Sequence, residues 1–279
     1  MKLIGILILP FLFSFRPNIA FYRSNLTAGG VIQNFIKITP RAPYTTKEFY
    51  IAKYEMKNVG GIAFSRAVGL PWVNITRADA IIKCRAIGAG YDLISNEEWQ
   101  TVAREIAEVN QNWSTGQVGI GFLNSGHSDG VPAQLLEASI DDDKGNCAGT
   151  GQTCGSTLFD KQRRTHFLKN GEQIWDFAGN AFEVTSNSNS VSQGVNAYTS
   201  LFIAGENRSI NFGTDTACDL KNVSPYCGFG YGAINYTSGA IWRGGYYSDL
   251  DKSGIFAAKL NVSSLLTASY MGFRCVYRP

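Results

Sequence analysis

The segment IWRGGYYSDLDKSGIFAAKLNVSSLLTASYMGFRCV, residues 241–276, carries the strongest evidence in the sequence for the fold of this chain. It opens with the pair Gly244-Gly245, and glycine permits tight backbone turns that bulkier residues resist. A run of Tyr, Ser and Asp residues follows at 246–251, between stretches that suit short strands. Such a mixture is typical of adaptable binding surfaces. An ordinary exposed loop carries the same residue types, so composition leaves both interpretations open.

Three ordered blocks of the chain resemble the formylglycine-generating-enzyme family, also called sulfatase-modifying factors. The last block is the RGG, SGIFAAKL and GFRC pattern within 243–275. The others are PWVNITRADAIIKCRAIGAGYDLISNEEWQTVAREI at 71–106 and IWDFAGNAFEVTSN at 174–187. The resemblance implies an α+β fold of the C-type-lectin-like type, loop-rich, with two helices and small antiparallel sheets. We expect this domain to cover residues 47–279.

The C-terminal part is similar to a second group that uses the same fold. The spacing from Ser253 to Cys275 resembles that in the variable proteins of diversity-generating retroelements, which display a changeable binding face. One fold hosts many functions, so both resemblances are stronger evidence for architecture than for chemistry.

Composition excludes one broad class of partner. Lys and Arg exceed Asp and Glu by only 3 in 279 residues, and no basic stripe or run of like charges occurs. We therefore expect no nucleic-acid partner.

The N-terminus has the pattern of a secretory signal. Lys2 precedes the apolar run Leu3–Phe15, which is shorter than the ~20 residues that span a membrane. We expect a signal peptide at 1–20, an exported protein (periplasmic, cell-surface or extracellular) and no membrane span in the mature chain. A buried N-terminal strand is the alternative. Residues 21–46 lack periodicity and are interpreted as a linker or a leading strand.

The six cysteines agree with export, because disulfides persist in oxidising compartments. Four of them form two local pairs, Cys147 with Cys154 and Cys218 with Cys227. The family resemblance implies that the other two, Cys84 and Cys275, are joined. Free thiols or metal ligands are the alternative, although the chain has no C-x-x-C spacing of the kind that structural zinc uses.

Two helices are predicted after the first strand. Thr76 suits the N-cap of a helix from Arg77 to Ile87. Ser95 and Glu98 form a capping box that starts the second helix. One face of that helix carries apolar residues at helical spacing and is assigned to the core: Trp99, Val102, Ala103, Ile106 and Val109.

The remaining regions are interpreted from their local pattern. Phe49–Glu55 alternates as a half-buried strand, and Asn58–Leu70 is predicted to be a glycine-containing loop. Ser114–Gly155 and Ser186–Gly239 are predicted to be long irregular stretches, which often carry function.

The turn at 176–183 is the candidate metal site. Calcium prefers carboxylate and carbonyl oxygens. The family resemblance implies calcium ligation by Asp176, Gly179, Ala181 and Glu183. A plain glycine turn, with Glu183 bonded to protein, is the alternative.

Catalysis by the family's known metals is not expected. Copper-dependent formylglycine generation needs two neighbouring thiolates, because thiolates select Cu(I). No Cys lies between Tyr246 and Arg274, where the resemblance would place them. The related iron enzymes need three histidines, and this chain has only His127 and His166. We therefore expect neither copper nor iron.

The favoured interpretation is an exported, non-catalytic binding protein that displays a variable-type face to a protein or glycan on a cell surface, such as a retroelement-diversified receptor or adhesin. A related enzyme of unknown reaction is the alternative. We expect the residues of the binding face to share one exposed surface; the competing outcome is that its tyrosines are core residues. The predicted ligand-binding residues are Tyr246, Tyr247, Ser248, Asp249, Asp251, Lys259, Asn261 and Tyr270.

Overall fold

The computed structural model describes residues 34–138, 161–189, 234–235 and 239–279. The predicted signal peptide and the two predicted local cysteine pairs lie outside these residues. The side chain of Asn261 is likewise outside the description.

The first sheet has four antiparallel strands in the described part of the chain. In order across the sheet they are β1 (Phe35–Ile38), β2 (Phe49–Ala52), β13 (Cys275–Tyr277) and β5 (Tyr91–Leu93). The last strand of the chain lies between β2 and β5, and Val276 pairs with both Ile51 and Asp92. Strand β1, which lies in the region interpreted as a linker or a leading strand, pairs with β2 in this sheet.

The second sheet has five described strands and positions the candidate site. In order they are β12 (Met271–Phe273), β8 (Phe182–Asn189), β10 (Gly239–Arg243), β11 (Ala258–Val262) and β9 (Ile234–Asn235). The pairings of β10 are antiparallel, whereas β12 with β8 and β11 with β9 are parallel. The prediction that irregular structure begins at Ser186 is wrong, because β8 continues to pair with β10 as far as Asn189.

Two hairpins complete the described strands. They are β3 (Met56–Val59) with β4 (Ile62–Ser65), and β6 (Thr165–Phe167) with β7 (Gln173–Trp175). The predicted loop at Asn58–Leu70 is therefore partly wrong. Gly60 and Gly61 take positive φ angles of 60° and 86°, which glycine tolerates, so two residues suffice to reverse the chain. The predicted strand Phe49–Glu55 is shorter than expected, since β2 ends at Ala52.

The two helices begin at the predicted caps. Helix α1 spans Arg77–Arg85, and the Thr76 hydroxyl accepts a hydrogen bond from the Asp79 N–H. Helix α2 spans Asn96–Ala107 and starts with the reciprocal capping box. α1 ends two residues before the predicted Ile87. The predicted apolar face of α2 is buried as expected, from Trp99 to Val109.

A disulfide joins α1 to the central strand of the first sheet. Cys84 is bonded to Cys275, with 5.5 Å between their Cα atoms and 191 residues between them in sequence. The pairing that the family resemblance implied is thus confirmed. It fixes the C-terminal strand against the first helix.

These observations confirm the predicted fold class, an α+β, loop-rich domain whose described part has two helices and small, mainly antiparallel sheets. The second sheet also contains two parallel pairs, which the prediction did not include. Within the described ranges, no helix is both long and apolar enough to cross a membrane.

Candidate functional site

The turn at 176–183 is built around two buried ion pairs. Arg164 donates from Nε and Nη2 to the two carboxylate oxygens of Asp176, at 2.7 and 2.6 Å. Arg274 donates from Nε to both oxygens of Glu183, at 3.1 and 2.9 Å, and from Nη2 to Oε1 at 2.5 Å. All four side chains are almost completely excluded from solvent. Burial raises the pKa of Glu183, and the neighbouring Arg274 opposes that rise.

The arginines also bind backbone oxygens, which makes the two pairs part of the fold. Arg274 donates to the carbonyl oxygens of Ala52 at 2.8 Å and Trp175 at 2.9 Å. Arg164 donates to the carbonyl oxygens of Glu137 at 2.8 Å and Leu136 at 3.2 Å. A buried charge is tolerated only when it is paired and its donors are used, and both conditions hold here.

These residues do not fit the predicted calcium site. Calcium would need the carboxylate oxygens of Asp176 and Glu183, and guanidinium N–H groups occupy those oxygens. No cluster of three or more His, Cys, Asp or Glu suited to a metal occurs in the described part of the chain. The plain turn with Glu183 bonded to protein agrees better with this geometry.

We therefore expect calcium to leave the stability of the protein unchanged. A ligand that binds only the native state raises the melting temperature by mass action. Thermal unfolding in excess EGTA and in millimolar calcium should give the same curve for the wild-type protein. A higher melting temperature in calcium that Glu183→Gln abolishes would restore the calcium site.

A second buried polar group lies beside this turn. The Glu55 carboxylate accepts hydrogen bonds from Asn180 Nδ2 at 2.6 Å and from the Ala181 N–H at 3.1 Å. Lys57 Nζ is 3.8 Å from the same carboxylate. Burial raises the pKa of Glu55 to about 8, and the negative charge of the neighbouring Asp176 adds to this rise. Burial lowers the pKa of Lys57.

Three tyrosines form one half-exposed aromatic surface, which we call the tyrosine face: Tyr246, Tyr247 and Tyr270. The Tyr246 and Tyr270 rings stack with centroids 4.6 Å apart. The Tyr246 and Tyr247 rings meet edge to face at 5.1 Å. All three are partly buried, and Tyr246 and Tyr270 also pack against the hydrophobic core, so the rings share one place in the molecule.

The tyrosine face rests on buried rings. Phe182, at the start of β8, stacks beneath Tyr246 with centroids 5.5 Å apart. The imidazole of His127 lies 6.2 Å from the Tyr247 ring. Gly244 and Gly245, with φ angles of 85° and 82°, turn the chain from β10 into the loop that carries both tyrosines. Buried support of this kind holds the exposed rings in place before any ligand arrives.

The charged residues predicted for the face divide into two groups. Lys259 Nζ lies 5.5 Å from the centroid of Phe182, and Asp249 is only 9% exposed. Burial raises the pKa of Asp249 to about 6, although Lys252 and Lys259 oppose the rise. Asp251, by contrast, is exposed and forms an ion pair with Lys161.

The last two predicted ligand-binding residues are Ser248 and Asn261. Ser248 is half-buried in the same loop as the tyrosines. Asn261 lies within β11, and its side chain is outside the described part of the molecule.

Sequence reasoning missed two exposed aliphatic residues beside the tyrosine face. Leu250 is 60% and Val131 is 62% exposed. Their loops are joined, because the Gly130 N–H donates to the Tyr247 carbonyl oxygen at 2.7 Å and the Leu250 N–H donates to that of Ser128 at 2.8 Å. Leu250 could have been identified from the sequence, because it is an apolar residue between Asp249 and Asp251 in a loop predicted to be exposed. Nothing local to Val131 indicated its position.

The loop holds no group of the family's copper chemistry. The run that the resemblance aligns with the thiolate pair holds Asp249 and Gly254. Ser125, His127 and Asp129 lie close together in sequence, and His127 Nδ1 is 3.9 Å from Asp129 Oδ1. Ser125 Oγ is instead 3.3 Å from Ser128 Oγ, and His127 Nε2 is 3.0 Å from the Gln134 carbonyl oxygen. Their geometry gives no nucleophile activated by a base.

Comparison with protein families gives a match over most of the chain. The model of the sulfatase-modifying factor enzyme 1-like domain matches residues 55–279. No curated protein matches the chain.

Solved structures similar to the chain include two kinds of variable protein. The Major Tropism Determinant P3c variant is 12% identical, with a TM-score of 0.40 over 82% of this chain and 50% of that one. Treponema denticola variable protein 1 is 13% identical, with a TM-score of 0.42 over 89% and 94%. CarF is 15% identical, with a TM-score of 0.39 over 84% and 87%. The chain thus spans about half the length of the Major Tropism Determinant.

Proposed function

The chain belongs to the sulfatase-modifying factor enzyme 1-like family, and we propose that it uses this C-type-lectin-like scaffold to bind a protein or glycan through the tyrosine face. The supporting observation is the contact of three half-exposed tyrosine rings above the buried Phe182. Tyrosine supplies contact area at low entropic cost, and the buried support reduces that cost further.

The surroundings of the face are consistent with either class of ligand. Leu250 and Val131 add apolar area of the kind found at the centre of protein interfaces. Flat tyrosine rings also suit stacking on sugar rings. Arrays of cell-surface proteins and of glycans, probed with the same labelled protein, separate the two.

We expect Tyr247→Ala to weaken binding of the strongest array ligand by about 30-fold, or about 2 kcal/mol, because central aromatic residues dominate interface energies. Tyr247 is chosen because its ring is half-exposed at the surface, whereas Tyr246 also supports the core. Tyr50→Ala is the matched control, since Tyr50 is a half-exposed tyrosine in a separate group, where its ring lies 6.0 Å from that of Tyr277 at a tilted angle. Affinities are compared by surface plasmon resonance, and equal losses in both variants would contradict the proposal.

The alternative function is an enzyme of the family with a different reaction. That reaction is unknown, so retained activity is tested first with a cysteine-containing sulfatase peptide, the substrate of the family's known reaction. The absence of any Cys between Tyr246 and Arg274 supports binding over copper chemistry. Formation of an aldehyde from such a peptide in the presence of copper would overturn the non-catalytic assignment.

Export and diversification are part of the same proposal. The disulfide between Cys84 and Cys275 supports an oxidising compartment. The gene segment that encodes Tyr246–Tyr270 could have a near-identical repeat beside the gene. A repeat that differs from it at adenines would support diversification of the face. Recovery of the protein with an intact N-terminus in the cytoplasm would contradict export.

A further inference from the structure

Strand β3 carries an amine that is buried without a hydrogen bond. Lys57 is 1% exposed, and Nζ has no hydrogen-bond partner among the described residues. Glu55 directly precedes β3, two positions before Lys57, and both side chains are buried. A buried ammonium without hydrogen bonds is costly, which makes this position unusual for a residue with only a structural role.

Glu55 connects this amine to a buried carboxamide. Its Oε2 atom is 3.8 Å from Lys57 Nζ and 2.6 Å from Asn180 Nδ2. One carboxyl oxygen thus lies beside both nitrogen atoms. Proton transfer requires a hydrogen-bond distance, so Lys57 Nζ must move closer to Oε2 before the carboxyl group can pass a proton from one nitrogen to the other.

The carboxamide itself is held and polarised. Asn180 Oδ1 accepts a hydrogen bond from the Leu136 N–H at 2.8 Å, and Nδ2 donates to the Leu136 carbonyl oxygen at 3.1 Å. Asn180 takes a φ of 59°, in the left-handed region. A backbone N–H aimed at a carbonyl oxygen stabilises the negative charge that develops there during attack on the carbon.

We propose that Lys57 and Asn180 form an intramolecular isopeptide bond. Nζ attacks Cγ of Asn180, the Leu136 N–H stabilises the oxygen, and the bond from Cγ to Nδ2 breaks. Glu55 takes one proton from Nζ and gives one to Nδ2, so that ammonia leaves and the carboxyl group ends as it began. No oxidant, reductant or metal takes part.

The environment suits the two partners. Attack requires the neutral amine, and burial lowers the pKa of Lys57. The bond would tie β3 to the turn at 176–181, beside the base of the tyrosine face. The competing interpretation is a buried ion pair between Lys57 and Glu55 with no covalent chemistry.

Intact-mass spectrometry of the purified, unreduced protein tests the bond. The mass should be lower than the sequence mass, corrected for disulfides, by that of one ammonia. Trypsin should not cleave after Lys57, and tandem spectra should identify a branched peptide joining the segments that contain Lys57 and Asn180. The Lys57→Met variant, which replaces the amine with an apolar chain of similar length, should have its full mass.

Three results would overturn the proposal. One is a wild-type protein of full mass with normal cleavage after Lys57. Another is a mass lower by one ammonia without a branched peptide, which indicates cyclisation of an asparagine instead. The third is an unchanged branched peptide in Glu55→Gln, which would remove Glu55 from the reaction. If the Glu55→Gln variant does not fold, the mass and the peptide map of the wild-type protein show whether the bond between Lys57 and Asn180 is present.

Discussion

Glu183→Ala is expected to lower the free energy of unfolding by about 3–5 kcal/mol, because it leaves the buried Arg274 without its counterion. Arg274 would keep its bonds to the carbonyl oxygens of Ala52 and Trp175, but these are neutral acceptors. The charge could not reach solvent, since the side chain is completely buried. The loss is measured by urea denaturation of the purified variant.

Glu108→Ala is the matched control for that experiment. Glu108 also pairs with two cations, Arg41 and Lys169, but at the surface. Exposed ion pairs contribute only about 0.2–1 kcal/mol each. Equal losses in the Glu183 and Glu108 variants would mean that the buried pair is not the structural element described above.

Removal of the long-range disulfide should have an effect of similar size. Cys84→Ala with Cys275→Ala releases a loop closed over 191 residues of sequence separation. The loss should be about 2–5 kcal/mol, as for other native disulfides, because the unfolded chain gains conformational freedom. The double variant is compared with the wild-type protein by chemical denaturation under non-reducing conditions.

Cys147→Ala with Cys154→Ala provides the comparison for this second prediction. The two residues are close in sequence, so a bridge between them would close a much shorter loop and stabilise the protein less. Non-reducing peptide mapping should recover Cys84 linked to Cys275. A free thiol at either position, or a link from Cys84 to Cys147, would contradict the pairing.

Features that depend on neighbouring residues were predictable from the sequence. Ser95 and Glu98 satisfy each other's backbone donors within one helical turn, so their spacing alone predicted the start of α2. The apolar face that begins at Trp99 followed from helical periodicity. The Gly60-Gly61 turn carried a similar local signal, and interpreting it as part of a loop missed the hairpin.

Features that depend on distant residues were not predictable from local patterns. Asp176 and Glu183 have the oxygen atoms of a calcium site, and only the fold shows that Arg164 and Arg274 occupy them. Arg274 is 91 residues from Glu183 in sequence, so no spacing rule connects them. The burial of Lys57 in a two-stranded hairpin was equally invisible.

The tyrosine face lies between these extremes. Gly244-Gly245 and the polar run after them indicated a displayed loop, and Tyr246 with Tyr247 follows directly. The pairing of β12 with β8 brings the start of β12 beside Phe182. Tyr270, which directly precedes β12, therefore stacks on Tyr246. The pairing of strands, and not the sequence spacing, joins the three rings.

Hydrogen–deuterium exchange with and without the strongest array ligand locates the binding surface on the molecule. Binding at the tyrosine face should slow amide exchange in the loops at 246–252 and 263–270 and in the adjoining segment 128–131. Exchange in the separate aromatic group around Tyr50 and Tyr277 should not change. Protection confined to other parts of the molecule, with none in these three segments, would mean that the tyrosine face is not the binding surface.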